Sequence, residues 1–281
     1  MTSSDHKILV LRAAGTNCDE ETAFAFAKAG ATVERVHVGR FLSGERSLGE
    51  FSVLVIPGGF SYGDDLGAGT VLANQLATRM RDELSEFVAA GRLVLGICNG
   101  FQVLVRLGLL PGWDDDSKCV SLVVNDSGKF EDRWVHLRVD TERCPFLRTT
   151  TDVEADRSAL LRLPVAHKEG RFLTRDAGVL QRLESEGQVA LRYALPSGEL
   201  AGDEHYPANP NGSVGSIAGI TNPTGNVLGL MPHPERFIRF LQDPQWTRRA
   251  AENGIPAGED TAGDGFRFFA GALAHLGAPA C

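Results

Sequence analysis

The sequence predicts an α/β protein with an open, mostly parallel sheet flanked by helices and with added antiparallel strands in its second half. Three observations lead to this prediction. Apolar runs alternate with helix-like segments in the first half, extended segments dominate the second half, and a tight strand–helix turn surrounds a cysteine. Alternating strands and helices are typical of a parallel sheet covered on both faces. Ligands of such sheets bind beyond the carboxyl ends of the strands.

The elements of the first half follow from apolar periodicity. Gly30 lies where the glycine that ends a helix is expected. Helices are predicted at 19–29, 73–89 and 101–107, the second with Leu76, Met80, Leu84, Phe87 and Val88 near one face. Strands are predicted at 7–12, 33–38, 53–56 and 93–97.

The second half contains further extended runs and strong turn signals. The turn at 222–226 separates two predicted strands, which indicates a hairpin. Strands are predicted at 120–124, 134–139, 188–193, 216–221 and 227–230. Since no break in composition precedes residue 240, residues 1–240 are expected to form one domain. Residues 241–281 are expected to be a helical extension packed on that domain, with a linker at 254–265 and apolar residues at helical spacing at Phe266, Phe269, Leu273 and Leu276.

Composition narrows the possible environments and partners. The chain has 281 residues, a formal net charge of −8 and a pI near 5.4, which argues against a basic nucleic-acid-binding face. The polar start at 1–5 lacks the pattern of a signal peptide, and no apolar run is long enough to span a membrane. The five widely spaced cysteines suggest neither a zinc site nor a disulfide framework, so we expect no metal and a cytoplasmic location.

The motif Gly96-Ile97-Cys98-Asn99-Gly100 has the pattern of a nucleophile elbow. It follows a predicted strand and precedes a predicted helix, and the tight turn requires very small residues two positions either side of the nucleophile. The start of a helix favours the thiolate form of a cysteine. Cys98 is therefore the candidate nucleophile.

A cysteine nucleophile needs a base and a group that orients the base. Met231-Pro232-His233-Pro234-Glu235-Arg236 offers both, because prolines favour extended backbone and residues two apart then share a side. His233 and Glu235 are the candidates. Taken alone, the motif equally fits a proline-rich turn before a helix.

The glycine-rich loop at 57–60 directly follows the predicted strand at 53–56. A backbone N–H of Gly59, together with that of Asn99, is suited to an oxyanion hole. A phosphate-binding loop fits poorly, because no Gly-Lys-Ser/Thr motif follows and Asp64 and Asp65 repel phosphate. A plain glycine turn is the remaining alternative.

Two further side chains deserve mention. Cys18 starts a predicted helix, but the acidic residues Asp19, Glu20 and Glu21 oppose a thiolate, so a structural role is expected. His167 is either a polar group that supports a site or a surface loop residue.

These motifs resemble those of class I (triad) glutamine amidotransferases, and specifically the glutaminase subunits of phosphoribosylformylglycinamidine synthase. The resemblance extends from Lys7 to about Arg239. The runs that carry the more specific resemblance are Gly15-Thr16-Asn17-Cys18-Asp19, Pro57-Gly58-Gly59-Phe60-Ser61-Tyr62-Gly63-Asp64, Ala208-Asn209-Pro210-Asn211-Gly212-Ser213 and Gly229-Leu230-Met231-Pro232-His233-Pro234-Glu235-Arg236.

The resemblance implies a flavodoxin-like fold and glutamine hydrolysis through a thioester on Cys98, with His233 moving the proton and Glu235 assisting. It implies that Gln102, Asn125 and Phe130 help to line the glutamine pocket. It also implies a large synthetase subunit that uses ATP and magnesium, a small bridging subunit, and no cofactor in this chain.

Two departures from the family pattern stand out. Lys168 replaces the first glycine of a His-Gly-Glu-Gly motif, and the tail beyond Phe240 is longer than expected. The alternatives are another class I amidotransferase, a free-standing cysteine hydrolase, or a non-catalytic regulatory module of the same fold.

Overall fold

A computed structural model describes residues 6–277 except 117, 142, 149–159, 203, 256, 257 and 259. The polar start at 1–5, part of the predicted linker and Cys281 therefore lie outside the described residues. No helix in the described ranges is long and apolar enough to cross a membrane.

Eleven strands are described. In chain order they are β1 (Lys7–Arg12), β2 (Thr32–His37), β3 (Val53–Ile56), β4 (Leu93–Ile97), β5 (Val120–Val123), β6 (Glu131–Val139), β7 (Leu161–His167), β8 (Arg171–Thr174), β9 (Val189–Ala194), β10 (Ile217–Thr221) and β11 (Val227–Leu230). Nine form one sheet in the order β2-β1-β3-β4-β11-β10-β9-β6-β7, and β5 pairs with β8 in a second sheet.

The large sheet has a parallel half and an antiparallel half. Strands β2, β1, β3, β4 and β11 run parallel. Strands β10, β9, β6 and β7 continue the sheet with antiparallel pairings. The predicted fold class and the hairpin at 222–226 are therefore confirmed. Because β11 returns beside β4, the ends of these two strands bring distant parts of the sequence together.

Eight α-helices are found among the described residues. They are α1 (Asp19–Lys28), α2 (Val38–Leu42), α3 (Thr70–Arg79), α4 (Arg81–Ala89), α5 (Asn99–Leu107), α6 (Ala177–Ser185), α7 (Trp246–Asn253) and α8 (Phe266–His275). Helix α8 contacts α1, where the buried rings of Phe26 and Phe269 meet edge to face at 4.9 Å between centroids.

Some predictions were wrong in detail. The predicted helix at 73–89 is two helices, because the backbone leaves helical geometry at Met80 with φ of −132°. The strand predicted at 120–124 is present as β5, and it pairs antiparallel with β8 outside the large sheet. Strand β7 was missed because Pro164 interrupts its apolar run, and proline is tolerated there since β7 is the edge strand. Strand β8 and helix α6 were missed as well.

Candidate active site

Cys98 lies at the junction of β4 and α5 in a strained backbone conformation. Its φ of 51° and ψ of −104° are rare for a residue with a side chain. The turn is tight on both sides, because a Cβ on Gly96 would lie 2.7 Å from the Gly100 carbonyl oxygen and one on Gly100 would lie 1.8 Å from that of Ile56. Only glycine fits at these positions, and the turn places the Cys98 thiol just beyond the strand end, where the residue is buried.

His233 follows the end of β11, the strand beside β4, and precedes a 3-10 turn at Pro234–Arg236. Its backbone N–H donates to the Pro164 carbonyl of β7 at 2.8 Å. Its Nδ1 lies 2.6 Å from Oε1 of Glu235, and both side chains are buried. Cys98 and His233 are far apart in sequence, and the pairing of β4 with β11 brings them together in space.

Charge surrounds the buried imidazole of His233. Burial lowers its pKa, but the Glu235 carboxylate and the Cys98 thiol outweigh burial and hold the pKa well above its usual value. Nε2 of His233 has no hydrogen-bond partner among the described residues. The ring is therefore oriented through Nδ1 and offers Nε2 for proton transfer.

Cys18 is a neighbour of this pair that the sequence did not reveal. Its sulfur lies 4.0 Å from Nδ1 of His233 and 3.2 Å from the Arg236 guanidinium. Burial raises the pKa of the Cys18 thiol and the Glu235 carboxylate adds to the rise, while His233 and Arg236 offset part of it. The expected acidic neighbour Asp19 is instead paired with Arg12 and Arg35. Burial is thus the main reason that Cys18 stays a thiol, rather than the acidic residues that follow it in sequence.

A cavity of about 130 Å³ opens over Cys98. Gly59, Gln102, His167 and Glu169 are among the residues that line it. The cavity is the space in which a small substrate can reach the sulfur.

The two predicted oxyanion-hole residues lie beside Cys98. Gly59 lines the cavity and has φ of 139°, a conformation suited to glycine. Asn99 is the first residue of α5, so its N–H has no acceptor within the helix. Their role in binding an oxyanion stays a prediction.

The other predicted substrate contacts differ in their placement. Gln102 lines the cavity, but its amide donates to the Glu169 carbonyl and accepts from Asn99, so it also builds the wall. Asn125 is buried and holds the loop after β7. Phe130 is 48% exposed. Their contact with a substrate stays a prediction.

Cys18, His233 and Glu235 are the group in the described ranges that could hold a metal ion, with ligand atoms within 4.8 Å of one another. The short contact between His233 and Glu235 and the guanidinium beside Cys18 disfavour a cation there. The arrangement instead suits a histidine that a carboxylate holds in one orientation.

Sequence reasoning thus did not place Cys18 and Arg236 around the reaction centre, and for His167 it left a supporting polar group and a surface loop residue as alternatives. For Cys18 a signal existed, because it follows β1 at the carboxyl edge of the sheet, where ligands bind. For Arg236 no such signal existed, because its position depends on the 3-10 turn at Pro234–Arg236.

Fold and site together define a glutamine amidotransferase. The CobB/CobQ-like glutamine amidotransferase domain family matches residues 5–275, and the chain belongs to this family. The chain is 42% identical over 267 residues to the phosphoribosylformylglycinamidine synthase subunit PurQ of Dehalococcoides mccartyi, covering 95% of this chain and 96% of that protein.

A second relative and a solved structure are also similar to the chain over most of its length. The subunit PurQ of Treponema denticola is 45% identical over 245 residues, covering 83% of this chain and 88% of that protein. Among solved structures, PurLQS from Thermotoga maritima matches with a TM-score of 0.69 and 32% identity, covering 97% of this chain and 99% of the matched chain.

Proposed function

We propose that this chain is the glutaminase subunit of a phosphoribosylformylglycinamidine synthase. It hydrolyses glutamine to glutamate and ammonia and delivers the ammonia to a synthetase subunit. That subunit converts formylglycinamide ribonucleotide to formylglycinamidine ribonucleotide with ATP, in purine biosynthesis. The observation that carries the proposal is the meeting of the strained Cys98 with the buried pair of His233 and Glu235 at one strand edge. The PurQ relatives support the choice of pathway.

The chemistry follows from the placement of these groups. Cys98 gives its proton to His233 as its sulfur attacks the side-chain amide carbon of glutamine, and backbone N–H groups of Gly59 and Asn99 stabilise the oxyanion. The carbon–nitrogen bond then breaks, the nitrogen takes a proton from His233, and ammonia leaves a thioester. Water, deprotonated by His233, attacks the thioester and releases glutamate. Glu235 holds the ring through Nδ1 and stabilises its protonated form.

We further propose that the chain works in a complex with a large synthetase subunit and a small bridging subunit. The likeness to PurLQS supports this assembly. ATP and magnesium are then used by the synthetase, and this chain requires no cofactor. The free thiols of Cys18, Cys98, Cys119 and Cys144 support the proposal that the chain works in the reducing cytoplasm.

The test compares the wild type with Cys98→Ala, each reconstituted with the synthetase and bridging subunits. Glutamate release and ribonucleotide product are measured with glutamine and then with ammonium salts. The variant is expected to lose product formation from glutamine but to keep it from ammonia, since Cys98 only liberates ammonia. Glutamine-driven product in the variant contradicts the assignment. A wild type that is inert toward glutamine in the complex favours a regulatory module.

A further inference from the structure

His167 is a buried histidine that the chemistry above does not use. It ends β7, is 3% exposed and lines the cavity together with Cys98. The carbonyl of the preceding Ala166 lies 3.8 Å from the Cys98 sulfur. The end of β7 therefore runs past the reacting atoms.

The hydrogen bonds of Asn125 determine which nitrogen of His167 carries the proton. Nδ2 of Asn125 donates to the carbonyls of Lys129 and His167, at 2.9 and 2.8 Å. Its Oδ1 therefore faces the other way, where it accepts from the Gly170 N–H at 3.0 Å and lies 3.1 Å from Nδ1 of His167. Because an amide oxygen only accepts, Nδ1 of His167 must donate.

Nε2 of His167 is then a bare acceptor. Burial lowers the pKa of His167 to about 3, and the nearby His233 adds to this, so the ring is neutral in the working pH range. Nε2 is buried and has no partner among the described residues. A buried acceptor without a partner destabilises the fold, and His167 lines the cavity, so a donor in the cavity is expected to reach this atom.

Gly170 preserves this geometry. A Cβ at residue 170 would lie 2.2 Å from Nδ1 of His167, so a side chain there would displace the ring. Asn125 and the close backbone of residue 170 consequently both hold the ring near its Nδ1 atom.

We propose that Nε2 of His167 accepts a hydrogen bond from the side-chain amide nitrogen of glutamine, the nitrogen that departs as ammonia. This inference rests on the proposed function. The amide nitrogen carries two hydrogens, and one of them matches the bare acceptor. When the tetrahedral intermediate breaks down, this bond holds the nitrogen with its lone pair toward His233, which supplies the proton. The product glutamate offers no hydrogen at that position, so its carboxylate is repelled by Nε2 and leaves.

The test measures kcat/KM of the reconstituted complex with glutamine and with the γ-methyl ester of glutamate, which has an ester oxygen in place of the amide nitrogen. The leaving oxygen of the ester has no hydrogen and gains nothing from an acceptor. His167→Phe is expected to lower kcat/KM for glutamine by about 10–100-fold and to leave that for the ester unchanged or higher. Inhibition by glutamate is expected to strengthen in the same variant.

A matched control is His136→Phe, which changes a half-buried histidine on β6 that does not line the cavity. This variant is expected to change kcat/KM by no more than about twofold for either substrate. Circular dichroism reports whether each variant folds, and co-elution with the synthetase subunit reports whether it assembles. If His167→Phe does not fold, His167→Met and His167→Gln are compared in the same way, and Gln, which keeps an acceptor, should retain more activity with glutamine.

Equal losses with both substrates, or no loss with glutamine, overturn the inference and leave the proposed function intact. A wild-type complex that does not release glutamate from glutamine overturns the proposed function instead. The two failures are thus separated by the wild-type measurement.

Discussion

Nδ1 of His233 lies 2.6 Å from Oε1 of Glu235, and the same nitrogen lies 4.0 Å from the sulfur of Cys18. The imidazole is therefore held by a carboxylate on the side away from its unpartnered Nε2. This contact orients the ring, and together with the neighbouring Cys98 and Cys18 it raises the pKa of His233.

The Glu235 contact predicts a graded loss of activity. His233→Ala is expected to lower kcat for glutamine hydrolysis by about 10²–10⁴-fold, because proton transfer to the leaving nitrogen is lost. Glu235→Gln should be milder, since the amide still accepts from Nδ1 but no longer stabilises the protonated ring. Glutamate release in the reconstituted complex measures both. Equal losses would mean that Glu235 does more than orient the ring.

The two neighbouring cysteines should differ in alkylation. Burial keeps the pKa of Cys18 raised, so at neutral pH this residue stays a poorly reactive thiol despite its contact with His233. Iodoacetamide is therefore expected to modify Cys98 first, as read by peptide mass spectrometry. In Cys98→Ala the first-modified peptide should disappear, and in Cys18→Ala it should remain. Preferential labelling of Cys18 would reverse the assignment of the nucleophile.

Gly58 is expected to tolerate no side chain. A Cβ there would lie 2.9 Å from Cε1 of His233, 3.1 Å from the sulfur of Cys18 and 3.5 Å from Cβ of Cys98. Gly58→Ala should therefore displace the ring and lower glutamine hydrolysis by about 100-fold or more, because small misplacements of reacting groups have large effects.

The matched control for Gly58 is Gly49→Ala, whose added Cβ meets only Ser47 Oγ at 3.4 Å. It should keep nearly full activity. Ammonia-dependent synthesis should survive in both variants, since it does not use the site. An active Gly58→Ala variant would show that the ring is not held as described.

The buried neutral His167 predicts a pH dependence of stability. Its folded pKa of about 3 lies below the ordinary 6.5, so between these values the unfolded chain binds a proton that the folded chain does not. Stability therefore falls as pH drops through this window. From pH 7 to pH 5 the wild type should lose about 2 kcal/mol more than His167→Phe, by urea unfolding. Parallel losses in both proteins would mean that His167 titrates normally.

The contact of α8 with α1 predicts a stability effect at the C-terminal extension. Phe26→Ala should destabilise the fold by about 3–5 kcal/mol, because it removes a buried ring that packs on Phe269. Phe24→Ala on the same helix, at a position 47% exposed, should cost less than about 1 kcal/mol. Thermal unfolding of both variants checks the difference. Similar costs would mean that the extension contributes little to the domain.

Local patterns predicted much of the sheet because its strands are short and strongly apolar. Strands β1, β3 and β11 have the predicted bounds, and the elbow at Cys98 required only glycines at fixed spacing. The division of 73–89 into two helices was not predicted. The apolar spacing continues across Met80, but the helical backbone geometry is interrupted there.

The sequence by itself determined the α/β class, the elbow around Cys98 and the pairing of His233 with Glu235, because each depends on residues close together in the chain. Only the tertiary structure decided that β11 lies beside β4, that Cys18 touches His233, and that the end of β7 brings His167 to the cavity. These contacts join residues that are far apart in sequence. Strand order and burial bring these residues together, and local periodicity encodes neither of the two.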